Sequence, residues 1–286
     1  MIKFQKVSKY FGDENYALQE VSFEIQPGEL VLLTGPSGSG KTTIMRLLTR
    51  EYKPSEGEIY LEDLAIHKVK KSRLHHLRRK IGVVFQDYLL LPELNVWENI
   101  ALPLSIIGQK QSEIEQRVTD LLNLVKLPEK AKLFPRQLSG GEAQRISIAR
   151  ALAIGPEVIF ADEPTGNLDP ATSLSIASLL KKIQELGTTV IFATHDTGVL
   201  SFLSGQREIH LENGKVTIDT NTTKKKPKAE SNKPEKKKPD NDSSNDKGED
   251  KGEDKPEPKV DVKVEKLTDD KKPEVKETKK EVKKEK

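Results

Sequence analysis

The stretch "ELVLLTGPSGSGKTTIMRLL", residues 29–48, decides the fold. It begins as a short apolar run ending in glycine, the pattern of a buried strand. From Ile44 the spacing turns helical, and Leu47, Leu48 and Tyr52 continue it. Between the two lies "GPSGSGKT", residues 35–42, which matches G-x-x-x-x-G-K-[ST]. Glycines let the backbone bend until successive N–H groups point inward at phosphate oxygens, so Gly35, Pro36, Ser37, Gly38, Ser39 and Gly40 form a phosphate cradle. Lys41 would reach the β- and γ-phosphates and Thr42 would place its hydroxyl on Mg²⁺. Thr43, at the helix start, would meet the α-phosphate.

Outward from this loop the chain alternates strand and helix. "MIKFQKV" and "VSFEI" alternate in polarity before it, and "GEIYLED" and "KIGVVFQD" read as strands after it. From about residue 88 to 150 the pattern is helical, with "ELNVWENIALPLSIIG" and "SEIEQRVTDLLNLVKL" showing apolar residues at i, i+3 and i+4. "PEVIFADEPTG" is a buried strand ending in acids, and "PATSLSIASLLKKIQELG" is a helix. "TTVIFATHD" is a further strand. Strands alternating with helices imply an α/β core with a parallel sheet, and the helical stretch reads as an insertion.

Chemistry in α/β sheets gathers where strands end. Asp162, closing "VIFAD", would hold the Mg²⁺ shell, and Glu163 beside it would orient or deprotonate an attacking water. His195 ends another apolar strand and is placed to bond a γ-phosphate or that water. Gln86 in "VVFQD" offers an amide to the water or the metal. A second anion-binding pattern lies a hundred residues further on: "LSGGEAQR", residues 138–145, sets two glycines at the start of a helix, where free N–H groups and the helix dipole favour negative charge.

Composition narrows the class. Of the 48 basic and 45 acidic residues, 22 lysines and 18 acids lie in residues 221–286, which leaves residues 1–220 close to neutral and removes the argument that the high isoelectric point marks a nucleic-acid binder. Residues 221–286 carry no arginine and no aromatic side chain, the composition of a disordered Lys/Glu/Pro-rich tail. Absence of cysteine excludes disulfides, thiolate metal sites and a cysteine nucleophile. There is no apolar run of about 18 residues and no signal-peptide core in "MIKFQKVSKYF", so a soluble intracellular protein is expected, with any membrane segment supplied by a partner.

Together these motifs resemble the ATP-binding cassette (ABC) family. "GPSGSGKTT" is similar to its Walker A loop, "VIFADE" to Walker B and Gln86 to the Q-loop glutamine. "LSGGE" resembles the family signature, "NLD" at 167–169 the D-loop and His195 the switch histidine. The resemblance implies a P-loop NTPase core with a parallel sheet, an N-terminal antiparallel β subdomain and an inserted helical subdomain at about 88–150, all within an ATP-binding domain spanning 1–220. It implies ATP and Mg²⁺ as cofactors and a head-to-tail homodimer. Ser139, Gly140 and Gly141 of one copy would then touch the γ-phosphate held by the other, which explains why one chain carries two phosphate-binding loops. Phe11, or Tyr10 beside it, would stack on adenine. Glu163 would act as base, with His195 and Lys41 steadying the transferring phosphoryl group.

Several stretches, among them "LRRKIGVVFQDYLLLPELNVWENIALPL" and "DEPTGNLDPATS", are similar to the branch of the family that pairs with an FtsX-type integral membrane protein and couples ATP turnover to cell-wall hydrolysis in bacterial division. Tyr88, Leu89, Leu90 and Leu91 would line the docking groove for that partner at the cytoplasmic face of the plasma membrane. Transporter ATPases for lipoprotein release or efflux, of the LolD and MacB kinds, share the same motifs. A soluble ABC ATPase acting on nucleic acid or ribosomes is the alternative from another class. A single cassette without sustained heptads argues against it, and no direct nucleic-acid contact is expected.

Overall fold

A computed structural model describes residues 1–12 and 16–221. The chain builds two sheets. The first is antiparallel, in the order β2-β1-β4-β5, from β1 (Ile2–Tyr10), β2 (Tyr16–Ile25), β4 (Glu56–Leu61) and β5 (Leu64–Ala65). The second has the order β10-β9-β3-β8-β7-β6, from β3 (Leu30–Thr34), β6 (Ile81–Val84), β7 (Val158–Asp162), β8 (Thr189–Ala193), β9 (Arg207–Glu212) and β10 (Lys215–Asp219). Strands β9, β3, β8, β7 and β6 run parallel, and β10 folds back antiparallel on β9.

The apolar runs of the central strands have a direct cause. Leu30 and Leu32 face one core while Val31 and Leu33 face the other. The same division separates Ile159 and Ala161 from Val158 and Phe160, and Val190 and Phe192 from Ile191 and Ala193. Both faces of the sheet are covered, so alternation gives way to continuous apolarity. One core is closed by helices α3 (Val96–Ile106), α4 (Gln111–Leu124), α5 (Gly140–Leu152) and α6 (Pro170–Glu185). The other lies between the sheet, α1 (Lys41–Leu48), α2 (Leu74–Arg79) and the antiparallel sheet. The short α7 (Thr197–Phe202) follows β8. Helix starts follow local chemistry: Asn95 with Glu98 and Ser139 with Glu142 form capping boxes, and Asp169 accepts from the Thr172 N–H with Pro170 at the first helical position.

Two expectations are corrected, and one pair of strands is added. Helix α1 does not run on to Tyr52; it ends at Leu48, and Arg50 takes a left-handed φ of 57°, which turns the chain away. The helical stretch expected from about 88 starts at Val96, because Tyr88 and Leu89 hold φ of 57° and 49°. Strands β9 and β10 were not anticipated, although Asn213-Gly214 between them, at φ of 47° and 74°, is a strong hairpin signal. No helix among the described residues is long and apolar enough to cross a membrane. The expectation of a disordered tail falls on residues 222–286, outside the described residues.

Candidate nucleotide site

Strands β3, β6, β7 and β8 are parallel neighbours, so their C-terminal ends share one edge of the sheet. Each end carries predicted residues: the 35–42 loop after β3, Gln86 after β6, Asp162 and Glu163 at β7, and His195 after β8.

The loop is held by close backbone approach. Gly35 has φ 136°, and a Cβ there would lie 2.1 Å from the Leu211 carbonyl oxygen of β9. Gly40, at φ 111°, would place a Cβ 2.6 Å from Leu18 Cδ2 and 2.7 Å from the Ala17 carbonyl oxygen. Only glycine fits both positions. Gly38, at φ 79°, faces open space, and Pro36, Ser37 and Gly38 are exposed. Ser39 is buried, its hydroxyl without a protein partner. The buried Lys41 Nζ donates to the carbonyls of Gly35 (2.8 Å) and Pro36 (3.1 Å) and lies 3.3 Å from Glu163 Oε1. Thr43 is half-buried on α1.

Thr42 Oγ1 donates to Asp162 Oδ2 at 2.8 Å. Burial above all raises the Asp162 pKa; the Thr42 hydrogen bond lowers it, the Glu163 charge raises it further and Lys41 pulls it down. Asp162 Oδ1 is buried with no partner. A hydroxyl beside a carboxylate with an unused oxygen is a hard oxygen donor set and fits Mg²⁺. Gln86 joins Ser37, Thr42, Asp162 and Glu163 around a cleft of ≈ 330 Å³. Its Nε2 donates to Asn167 Oδ1 (3.2 Å), while Asn167 Nδ2 donates to Asp87 Oδ1 (3.3 Å).

Glu163 holds a left-handed φ of 48° and its N–H donates to the Ala193 carbonyl at 2.9 Å. Its Oε2 is 2.9 Å from Nδ1 of the exposed His195. Lys41, Glu163 and His195 thus form one chain of contacts across three strand ends.

The second glycine pair stands apart. Ser139 caps α5: its Oγ accepts from the Glu142 N–H at 3.3 Å, and Glu142 Oε2 accepts from the Ser139 N–H at 2.9 Å. That backbone hydrogen bond is the main reason the Glu142 carboxyl lies below its ordinary pKa; Lys130, 3.3 Å away, adds to the shift. A Cβ on Gly140 would meet Tyr88 Oη at 2.8 Å and one on Gly141 would meet Thr172 Cγ2 at 2.4 Å. Among the described residues no hydrogen bond or ion pair joins 139–141 to 35–43.

Phe11 is 44% exposed, edge-on to Tyr52 at 5.2 Å, with Lys9 Nζ 4.8 Å from its ring centre. Tyr52 in turn accepts a hydrogen bond from Arg46 of α1 at 2.6 Å, so Phe11 shares its surroundings with the helix that follows the loop. Tyr10 instead meets Tyr16 at 5.5 Å.

Sequence reasoning missed three residues. Buried Asn99 bonds the backbone of Leu91, Leu94 and Asn95, and Arg150 donates to the carbonyls of Leu89 (2.8 Å) and Tyr88 (3.2 Å). Together they clamp the 88–91 loop, in which Leu89 (54%) and Leu91 (40%) are exposed. Gln144 is the third, fully buried in α5. Polar side chains at the buried phase of an apolar helix pattern were the available signal for Asn99 and Gln144.

Residues 18–166 match the profile of the ABC transporter family. The chain is 45% identical over 219 residues to the cell division ATP-binding protein FtsE of Bacillus subtilis, covering 77% of this chain and 96% of that protein. It is 46% identical over 201 residues to FtsE of Escherichia coli, covering 70% and 90%. Among solved structures, the dimeric ATP-binding cassette MJ0796 in a post-hydrolysis state bound to ADP and Pi is 41% identical, with a TM-score of 0.69 over 77% of this chain and 97% of that one. The cassette cbiO1 of Clostridium perfringens is 29% identical, with a TM-score of 0.71 over 76% and 87%.

Proposed function

The chain belongs to the ABC transporter family of ATP-binding proteins, and from that membership we propose that it is the ATP-hydrolysing subunit of an FtsEX-like complex, which couples ATP turnover to the control of cell-wall hydrolysis in bacterial division. The observation that carries this reading is the likeness to FtsE along 96% of that protein's length. The chain binds ATP and hydrolyses it to ADP and phosphate. Residues 1–220 form the ATP-binding unit, with a helical insertion whose helices run from Val96 to Leu152.

In the chemistry proposed, the N–H groups of 35–42 and the Lys41 ammonium hold the β- and γ-phosphates, and the N–H of Thr43 lies toward the α-phosphate. Phe11 covers the adenine. Thr42, Asp162 and Gln86 would hold Mg²⁺, which would supply neutralisation of phosphate charge. Lys41 now pairs with Glu163 at 3.3 Å. Moving its charge to a phosphate frees Glu163 Oε1 to accept the proton of the attacking water, while His195 holds Oε2 and steadies the γ-phosphate. Ser139, Gly140 and Gly141 complete the pocket of a second copy, where the α5 N-terminus stabilises the γ-phosphate. This accounts for their separation from 35–43 within one chain. Tyr88–Leu91 dock an FtsX-like membrane protein, which keeps the subunit at the cytoplasmic face of the membrane.

Two experiments test the proposal. Glu163→Gln keeps the shape of the side chain but removes the base, so hydrolysis drops roughly 10²–10⁴-fold while ATP still binds. Light scattering with ATP and Mg²⁺ then reports a dimer; a monomer contradicts the shared pocket. Purification of the tagged protein from host membranes recovers an FtsX-type partner, and recovery of a permease with a large extracytoplasmic domain in its place overturns the division role.

A further inference from the structure

Helix α5 buries one polar side chain that the chemistry above does not use. Gln144 is 0% exposed. Its Nε2 donates to the carbonyl of Phe85 at 3.1 Å and to that of Pro164 at 2.8 Å. Both acceptors are carbonyls, so the amine end of the amide must face them. The Oε1 is left buried with no partner. A leucine would fill the same space without stranding Oε1 but would leave the two carbonyls unpaired, so the amide answers the backbone it binds and not packing alone.

The two carbonyls are one residue away from the reacting groups. Phe85 precedes Gln86, and Pro164 follows Glu163. Glu163 sits in a left-handed conformation that no glycine relieves, and such a turn needs support from its neighbours. The same helix begins at Ser139, about 7 Å along its axis from Gln144. We propose that Gln144 is a positioning residue for hydrolysis: its amide ties the Gln86 loop and the Glu163 turn to helix α5, so that displacement of the 139–141 end by a second copy's nucleotide is felt at the base. This rests on the ATPase reading above. Arg150, two turns further along α5, grips the next part of the same loop at Tyr88 and Leu89. The segment 85–89 therefore travels with α5.

Full-length Gln144→Leu and Gln144→Glu test this, with kcat, KM for ATP, a pH profile between about 5.5 and 8 and the nucleotide-free melting temperature as readouts. Gln144→Leu loses both donors. A base misplaced by a fraction of an ångström lowers kcat roughly 10- to 100-fold with KM within about threefold, and the two unpaired carbonyls lower the melting temperature as well, so all rates are read well below the variants' melting temperatures. In Gln144→Glu a buried carboxyl regains one donor when protonated, so its kcat relative to wild type rises as pH falls, and that of Gln144→Leu does not. Wild-type-like kcat in both variants overturns the inference. So does a kcat loss in Gln144→Glu that shows no recovery as pH falls, which makes Gln144 a packing residue. An inert wild type in the same assay sinks the ATPase reading itself, and this inference with it; an active wild type beside an unaffected Gln144→Leu sinks the inference alone.

Discussion

Two glycines of one loop should respond very differently to the same methyl group. Gly35→Ala places a Cβ 2.1 Å from the Leu211 carbonyl oxygen and 2.8 Å from Ser39 Oγ, at φ 136°. Gly38→Ala meets nothing within 4 Å, at φ 79°. Both pay a conformational cost of about 1–2 kcal/mol for a side chain at positive φ. Gly35→Ala must also push the loop off β9, a backbone neighbour that cannot swing aside, at a further cost of about 1–3 kcal/mol. In a domain of this size 1 kcal/mol moves the melting temperature by about 2–4 °C. Gly38→Ala should therefore melt about 2–8 °C below wild type, and Gly35→Ala about 2–12 °C below Gly38→Ala. Thermal unfolding of the nucleotide-free protein, followed by fluorescence or circular dichroism, measures both. Affinity for a fluorescent ATP analogue should rank the other way relative to stability: Gly38→Ala loses binding out of proportion to its small thermal shift, because on the reading proposed its methyl would enter the open space that a phosphate takes. Equal melting temperatures for the two variants would refute the close packing of the loop on β9.

Asp162 has a raised pKa in the folded, nucleotide-free protein, mainly from burial. The folded state thus binds a proton more tightly than the unfolded chain, so this group's contribution to stability is full below about pH 3.9 and is lost as pH rises through the folded value. Denaturation of wild type and Asp162→Asn between pH 4.5 and 7.5, without nucleotide, should show wild type gaining on the variant as pH falls; a constant difference contradicts this. Asn99→Leu removes the side-chain hydrogen bonds to the carbonyls of Leu91, Leu94 and Asn95 and from the Leu91 N–H, each worth about 0.5–1.5 kcal/mol. It should lower the melting temperature and speed chymotryptic cleavage at 88–91, and an unchanged cleavage rate would show that the clamp is dispensable. Truncation after Asn221 should leave basal ATPase activity intact; phosphate release below half the wild-type rate would place the removed residues in the site.

Much of this protein was legible from residue types and spacing. The strand–loop–helix unit at 29–48 announced a candidate phosphate site because the glycine, lysine and threonine positions answer a local demand, which sequence neighbours alone can meet. Asp162, Glu163, Gln86 and His195 were legible because each closes an apolar run, and parallel strands must end together. The corrections concern backbone turns. Helix α1 stops short of Tyr52, and 88–95 is not helical, because Arg50, Tyr88 and Leu89 take left-handed conformations that their residue types do not demand. Those conformations are stabilised from elsewhere in the chain, by Arg150 and Asn99 in the case of the 88–91 loop.

The amino-acid order alone therefore determined which residues are candidates, since motif chemistry is a property of a few consecutive positions. Tertiary structure decided how they meet: the 3.3 Å approach of Lys41 to Glu163, the unpartnered oxygen of Asp162, the seat of Phe11 against Tyr52 and the grip of Gln144 on two distant carbonyls. The contacts among these join residues between 20 and 122 positions apart, and contacts of that range arise only when the folded chain brings distant segments side by side.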